Sequence, residues 1–166
     1  MTTQRPLGRL VLVTGAPGAG KTTVARAVAA RLPRAVHVDG AAIHDMVVTG
    51  EVTMTLPAPP EAVEQLFLRW LGSIAVAETY QQAGFDAVIS DTVLGDFLDD
   101  FIDFVSPAPL HLVVLNPSPE TATRRVGLWL DTSTQSVTET VEAVLTRLAE
   151  ARVETDDLPP AVVPHG

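Results

Sequence analysis

The run Gly15-Ala16-Pro17-Gly18-Ala19-Gly20-Lys21-Thr22 constrains this chain more than any other feature. A Gly-x-x-x-x-Gly-Lys-Thr pattern works only between a strand that enters it and a helix that leaves it. The apolar run Arg9 to Thr14 supplies the strand, and the Ala-rich stretch Thr22 to Leu32, stopped by Pro33, supplies the helix. The glycines let backbone N–H groups turn inward around a phosphate, and the helix start adds its positive dipole end. Gly15, Ala16, Pro17, Gly18, Ala19, Gly20, Lys21, Thr22 and Thr23 are therefore the expected phosphate site of a nucleoside triphosphate. Lys21 is expected to bridge β- and γ-oxygens, and the Thr22 hydroxyl to ligate Mg²⁺. A dinucleotide-binding fingerprint is excluded, because the loop carries Lys-Thr and does not start Gly-x-Gly.

Lys21 is the only lysine in the chain, and the other formal positive charges are arginines. The one compact ammonium thus stands where phosphate oxygens would be reached. With 166 residues, 46% of them apolar, the chain is most simply one domain, residues 1–153, followed by a loose Pro-rich tail, 154–166. A net charge of −9 argues against a nucleic-acid surface. The absence of Cys excludes disulfides and thiolate chemistry and fits a reducing cytoplasm. The run Leu10 to Val13 is too short for a signal peptide or membrane span.

Further along, strands are expected at Ala35–Val38, Asp86–Ser90, Leu110–Leu115 and Leu128–Leu130. Helices are expected at Ala41–Val48, Glu61–Ala83, Asp96–Val105 and Val137–Val153, with a possible bend at Gly72-Ser73. This alternation predicts an α/β fold of three layers: a five-stranded parallel sheet with helices on both faces and ligands at the carboxyl ends of the strands. Asp39 follows the second strand and Asp91 the third, so both carboxylates are expected near the phosphate site. A carboxylate there can hold Mg²⁺ through water or accept the proton of an attacking hydroxyl; each can equally be a helix N-cap.

Asp39-Gly40-Ala41-Ala42-Ile43-His44 resembles the Asp-Gly-Asp-x-Leu-His segment of gluconate kinases and similar segments of shikimate kinases. Together with the phosphate loop and the Leu130-Asp131-Thr132-Ser133 turn, it resembles the small-molecule P-loop kinases, a group that includes chloramphenicol phosphotransferases. The resemblance covers about residues 9 to 153. It implies that Asp39 helps organise Mg²⁺, that the residue two places on is the usual base, and that the Asp131 turn lies beside adenine. Ala41 occupies the position of that base, and a methyl group cannot take a proton. The chain is then altered at a catalytic position, or uses Asp39 or Asp91 instead, or binds nucleotide without transferring phosphate. The resemblance also implies an arginine-bearing lid after the fourth strand. The passage Asn116 to Leu128 has room for about two helical turns and no lid. Arg124 and Arg125 lie in it, as a nucleotide contact and a remnant lid arginine, or as surface charge.

For the acceptor, Phe67, Arg69, Trp70, Tyr80, Met46, Met54 and the loop Thr49 to Pro59 are the candidate wall, with core packing the alternative for the aromatics. His44 is a candidate acceptor contact or a surface histidine; His37 and His111 read as structural. Between residues 40 and 105 Arg69 is the only formal cation, which disfavours a sugar acid. The expectation is a cytoplasmic, ATP- and Mg²⁺-dependent kinase of a small-molecule alcohol, such as an antibiotic or other natural product, with no nucleic-acid or membrane partner. The alternative is a non-catalytic nucleotide-binding protein.

Overall fold

The computed structural model describes residues 5–116 and 126–156. Strand β1 (Leu10–Gly15) is buried along its whole length and is followed by helix α1 (Lys21–Arg31). Then come β2 (Ala35–Asp39), the short helix α2 (Gly40–His44), the long helix α3 (Pro60–Gln82) and β3 (Asp86–Ser90). Helix α4 (Phe97–Val105), β4 (Leu110–Leu115), β5 (Leu128–Leu130) and α5 (Val137–Thr146) complete the alternation. The five strands are parallel in the order β2-β3-β1-β4-β5, so β1 lies centrally between β3 and β4. This is the α/β fold expected of a P-loop protein.

Alternation along the strands builds the two faces. Leu10 and Leu12 of β1 pack with Trp70, Ile74, Phe101 and Ile102 of α3 and α4. Val11 and Val13 point the other way, into Val24, Ala25 and Val28 of α1 and Val141 and Val144 of α5. Strands buried on both faces read as continuous apolar runs, as β1 and β4 do.

Three expectations are corrected. The last helix ends at Thr146, not Val153. A 3₁₀ turn at Leu148–Ala151 follows, and Arg152–Val153 forms a sixth strand, β6, antiparallel to β4. The apolar spacing of Val141, Val144 and Leu148 persists through the turn, so helical periodicity alone could not see the switch; the open edge at Leu110 decides it. Just beyond β6, Thr155 is buried and its hydroxyl donates to the Ala108 carbonyl, so the start of the tail is docked. Helix α2 stops at His44 rather than Val48, closing in tight turns from Asp45, Met46 and Val47 back to Ala41, Ile43 and His44. Helix α3 runs unbroken through Gly72-Ser73. The Ser73 hydroxyl donates to the Arg69 carbonyl four residues back, and a Cβ at Gly72 would press on Ile43 of α2. Among the described residues no helix is long and apolar enough to cross a membrane.

Candidate active site

The phosphate loop, Asp39 and Asp91 leave the sheet at one edge, the carboxyl ends of β1, β2 and β3. The phosphate loop rises from Gly15, the last residue of the central strand. Gly18 and Gly20 have φ of 81° and 84°, which L side chains rarely adopt, so the loop needs glycine there. The Ala19 amide closes the loop on the Ala16 carbonyl, and the Lys21 ammonium donates to the same carbonyl at 3.0 Å. Burial pushes the Lys21 ammonium down, the nearby Asp91 carboxylate raises it, and Arg69 lowers it. Thr22 and Thr23 are exposed in the first turn of α1.

β1 is tied to the end of β3. The Asp91 amide donates to the Val13 carbonyl; the Thr14 hydroxyl donates to the Val93 carbonyl and accepts from its amide. Asp91 is thereby placed beside the loop, with its side chain fully buried. Arg69 of α3 grips it with two N–H groups, Nε to Oδ2 at 2.8 Å and Nη2 to Oδ1, and the Thr92 amide also donates to Oδ1. Burial pushes the Asp91 carboxyl above the ordinary range, and Arg69 opposes the rise. Gly40 makes room for this pair, because a Cβ there would run into the Asp91 carboxylate. The sequence showed Asp91 and Arg69 separately, 22 residues apart; no local signal joined them.

Asp39 sits at the end of β2, level with Ser90 of β3, which is level with Val13 of β1. Two strand spacings thus separate it from the loop strand, about 10 Å. It is half-buried and caps α2: Oδ1 accepts from the Ala41 amide at 3.1 Å. The capping alternative is therefore realised in Asp39, while its second oxygen is left for other partners. Ala41 is exposed on α2. His37 bonds the Ser90 hydroxyl at 2.8 Å across the β2–β3 ladder, and burial lowers its ring's basicity. Asp131 forms its own turn by accepting from Ser133 N and Oγ, and the cap of α5 is a Ser136–Glu139 box. Arg124 and Arg125 lie outside the described residues.

Beside Arg69 a cavity of about 340 Å³ opens between α3 and the loop after α2. His44, Glu51, Met54, Gln65 and Arg69 are among its walls. A smaller one of about 140 Å³ adjoins it through His44, Gln65 and Arg69. Gln65 pins the loop from α3: its Nε2 donates to the Gly50 carbonyl and its Oε1 accepts from the Val52 amide. Gln65 was not among the residues singled out from sequence, since a glutamine in a helix has no pattern that marks it. Of the expected acceptor wall, Arg69, Met54 and the loop line the cavity. Trp70 is fully buried in the core, Phe67 packs with it and with Phe97 and Phe104, Tyr80 meets Phe85 edge to face, and Met46 is exposed.

Among the described residues no group of three His, Cys, Asp or Glu forms a metal cage. The hydroxyl of Thr22 and the carboxylate of Asp39 are hard oxygen donors that suit Mg²⁺, an ion that takes its other ligands from phosphate and water.

The sequence profile of the AAA domain family matches residues 10–150. No curated protein matches significantly. Among solved structures, an APS kinase of Mycobacterium tuberculosis superimposes with a TM-score of 0.66 at 19% identity, covering 87% of this chain and 99% of that one. An unliganded sugar kinase of Janibacter sp. HTCC2649 gives 0.62 at 20% identity, covering 87% and 96%. A tunicamycin resistance protein of Deinococcus radiodurans gives 0.62 at 12% identity, covering 85% and 95%. These likenesses show the fold, and the profile shows the family: the chain belongs to the AAA domain family and has the fold of the P-loop kinases.

Proposed function

We propose that the chain is an ATP-dependent phosphotransferase that moves the γ-phosphoryl group to a hydroxyl of a small molecule. The observation that carries this reading is the shared position of Arg69. It lines the 340 Å³ cavity and, through Asp91, stands beside Lys21 of the phosphate loop. One side chain thus lines the space for an acceptor and grips Asp91, whose carboxylate lies near the lysine that would hold the phosphates. The loop amides and Lys21 would bind the triphosphate, with Thr22 and Asp39 as the oxygen donors for Mg²⁺, which supplies neutralising charge when bound. Asp91 holds Arg69 in place and is unavailable as a base while both its oxygens are engaged. Arg124 and Arg125 remain proposed as phosphate contacts.

The acceptor is proposed to be a largely apolar alcohol, such as an antibiotic or other natural product, acted on in the cytoplasm. Val52, Met54, Ala62 and Leu66 line the cavity, and Arg69, its one arginine, is already paired. A sugar acid would leave its carboxylate without a free cation there. Support for a drug-like acceptor also comes from the fold shared with a tunicamycin resistance protein.

The test is mass spectrometry of products after incubation with ATP, Mg²⁺ and pools of antibiotics and metabolites. A mass gain of one phosphoryl group on an acceptor is expected, and Lys21→Met should weaken ATP binding by roughly tenfold to a hundredfold in calorimetry. Tight ATP binding with no phosphorylated product across the pools would instead favour the second reading, a nucleotide-binding protein without transfer. Ala41 at the position of the usual base favours that second reading. Ala41→Asp is expected to raise turnover with little change in nucleotide affinity, and equal turnover in both forms would count against the role given to position 41.

A further inference from the structure

An acceptor hydroxyl must lose its proton as it attacks phosphorus, and the usual carboxylate is replaced by Ala41. Neither remaining aspartate is well placed to take over. Asp91 is buried with both oxygens held by Arg69. Asp39 uses one oxygen on the Ala41 amide and serves best as the oxygen donor for Mg²⁺. One imidazole is in a different position. His44 lies three residues after Ala41 on α2, so the two share a side of that helix. Its side chain lines both cavities beside Arg69.

His44 is also oriented. Its Nε2 lies 3.0 Å from Oε1 of Glu51. A carboxylate only accepts, so Nε2 carries the hydrogen, and in the neutral ring Nδ1 is the proton acceptor. Glu51 in turn is bracketed: Gln65 of α3 binds the carbonyl of Gly50 before it and the amide of Val52 after it. The Glu51 side chain is 58% exposed and that of His44 34%, so the pair by itself contributes little to stability and the clamp on its loop calls for another purpose. Gln65, half-buried on α3, fixes the two positions around the glutamate, and the glutamate holds the ring of a histidine that lines both cavities. A nucleophile, a base beside it and a third group orienting the base is the general form of an activated-hydroxyl site.

We infer that His44, oriented by Glu51, is the general base for phosphoryl transfer in this chain, in place of the carboxylate lost at position 41. The inference rests on the phosphotransferase reading. In the step, the acceptor oxygen forms a bond to the γ-phosphorus as the bond to the β–γ bridging oxygen breaks. ADP leaves with that electron pair, and the hydroxyl proton passes to Nδ1 of His44. Glu51 stays a carboxylate and stabilises the imidazolium formed; it is a positioning residue, as Gln65 is for Glu51.

The experiment measures transfer from [γ-³²P]ATP to glycerol, to a chloramphenicol-type propanediol, to an aminocyclitol and to water. The wild type is compared with His44→Gln, His44→Gly, Glu51→Gln and the double variant His44→Gln/Ala41→Asp, with ATP affinity measured by calorimetry on each. The expected result is a loss of about a hundredfold in kcat for His44→Gln with ATP affinity retained, and a smaller loss in kcat for Glu51→Gln. Added imidazole should restore part of the turnover of His44→Gly, and Ala41→Asp should raise the turnover of His44→Gln by a larger factor than it raises that of the wild type; loss of a merely structural contact would show neither effect. If His44→Gln keeps kcat within about twofold of wild type, or falls and is rescued by neither route, the base assignment is overturned while the kinase reading stands. If the wild type binds ATP but phosphorylates none of the four acceptors and nothing in the antibiotic and metabolite pools, both fall together.

Discussion

At the scale of single residues, the site depends on a charge taken out of water. Asp91 is fully buried and ion-paired with Arg69, with the Lys21 ammonium near it. Removing one member of such a pair leaves the other charged and unpartnered, which is far worse than never having built it. Arg69→Met is therefore expected to lower unfolding free energy by about 3–5 kcal/mol in urea titrations. The double variant Arg69→Met/Asp91→Leu should recover much of that loss while remaining without turnover. Gly40→Ala reaches the same pair from the other side: its new methyl group meets the Asp91 carboxylate. A cost of about 1–3 kcal/mol is expected, with turnover falling more than ATP affinity. A Gly40→Ala protein with wild-type turnover would show that the pair tolerates displacement and that its geometry does not matter.

At the scale of elements, the notable arrangement is a long helix that carries a loop. Helix α3 contributes Trp70 and Ile74 to the core, Arg69 to the site and Gln65 to the loop after α2. The loop itself exposes Val48, Met54 and Leu56 and gains little from burial. Its position therefore depends on the two Gln65 hydrogen bonds, each contributing about 0.5–1.5 kcal/mol. Gln65→Ala is expected to lower the midpoint of thermal unfolding by a few degrees. It should speed hydrogen exchange at the Val52 amide and raise the KM for the acceptor. Unaltered exchange at Val52 would mean that other contacts hold the loop. At the opposite edge of the molecule, β6 shows the same logic in reverse: a sequence with helical spacing is drawn into a strand because β4 offers an unpaired edge at Leu110 and His111.

At the scale of the whole molecule, stability should vary with acidity in a way that separates the two ends of the sheet. At the amino end, burial works against the charge of Asp86, but Arg9 outweighs it with hydrogen bonds to both carboxylate oxygens at 2.7–3.1 Å, from Nη2, Nε and the backbone amide. The net effect holds Asp86 below its ordinary value of 3.8. A group depressed in the folded state stabilises it above the unfolded value, and that contribution is lost as pH falls through the folded one. The wild type should therefore lose stability on acidification below about pH 4, and Asp86→Asn should be less stable at neutral pH and lack that part of the acid dependence. Parallel acid titration curves for the two proteins would show that Arg9 does not hold the carboxylate in solution.

The sequence by itself determined the phosphate loop, the alternation of strands and helices and the apolar faces, because each depends on residues within a few positions of one another. Glycine at 18 and 20, Lys21 at the helix start and the continuous apolar run of β1 are local instructions. The expected five parallel strands follow from them. Tertiary structure alone decided the rest. The Arg69–Asp91 grip, the room left by Gly40 and the Gln65 clamp on residues 50 and 52 join residues brought together by the order β2-β3-β1 and by α3 crossing that edge, and the turn after α2 folds Glu51 back to His44. Likewise, the change from helix to strand at Arg152 came from an open sheet edge. A period along the chain records which side of an element is apolar; it does not record which polar group will stand opposite once that side is buried.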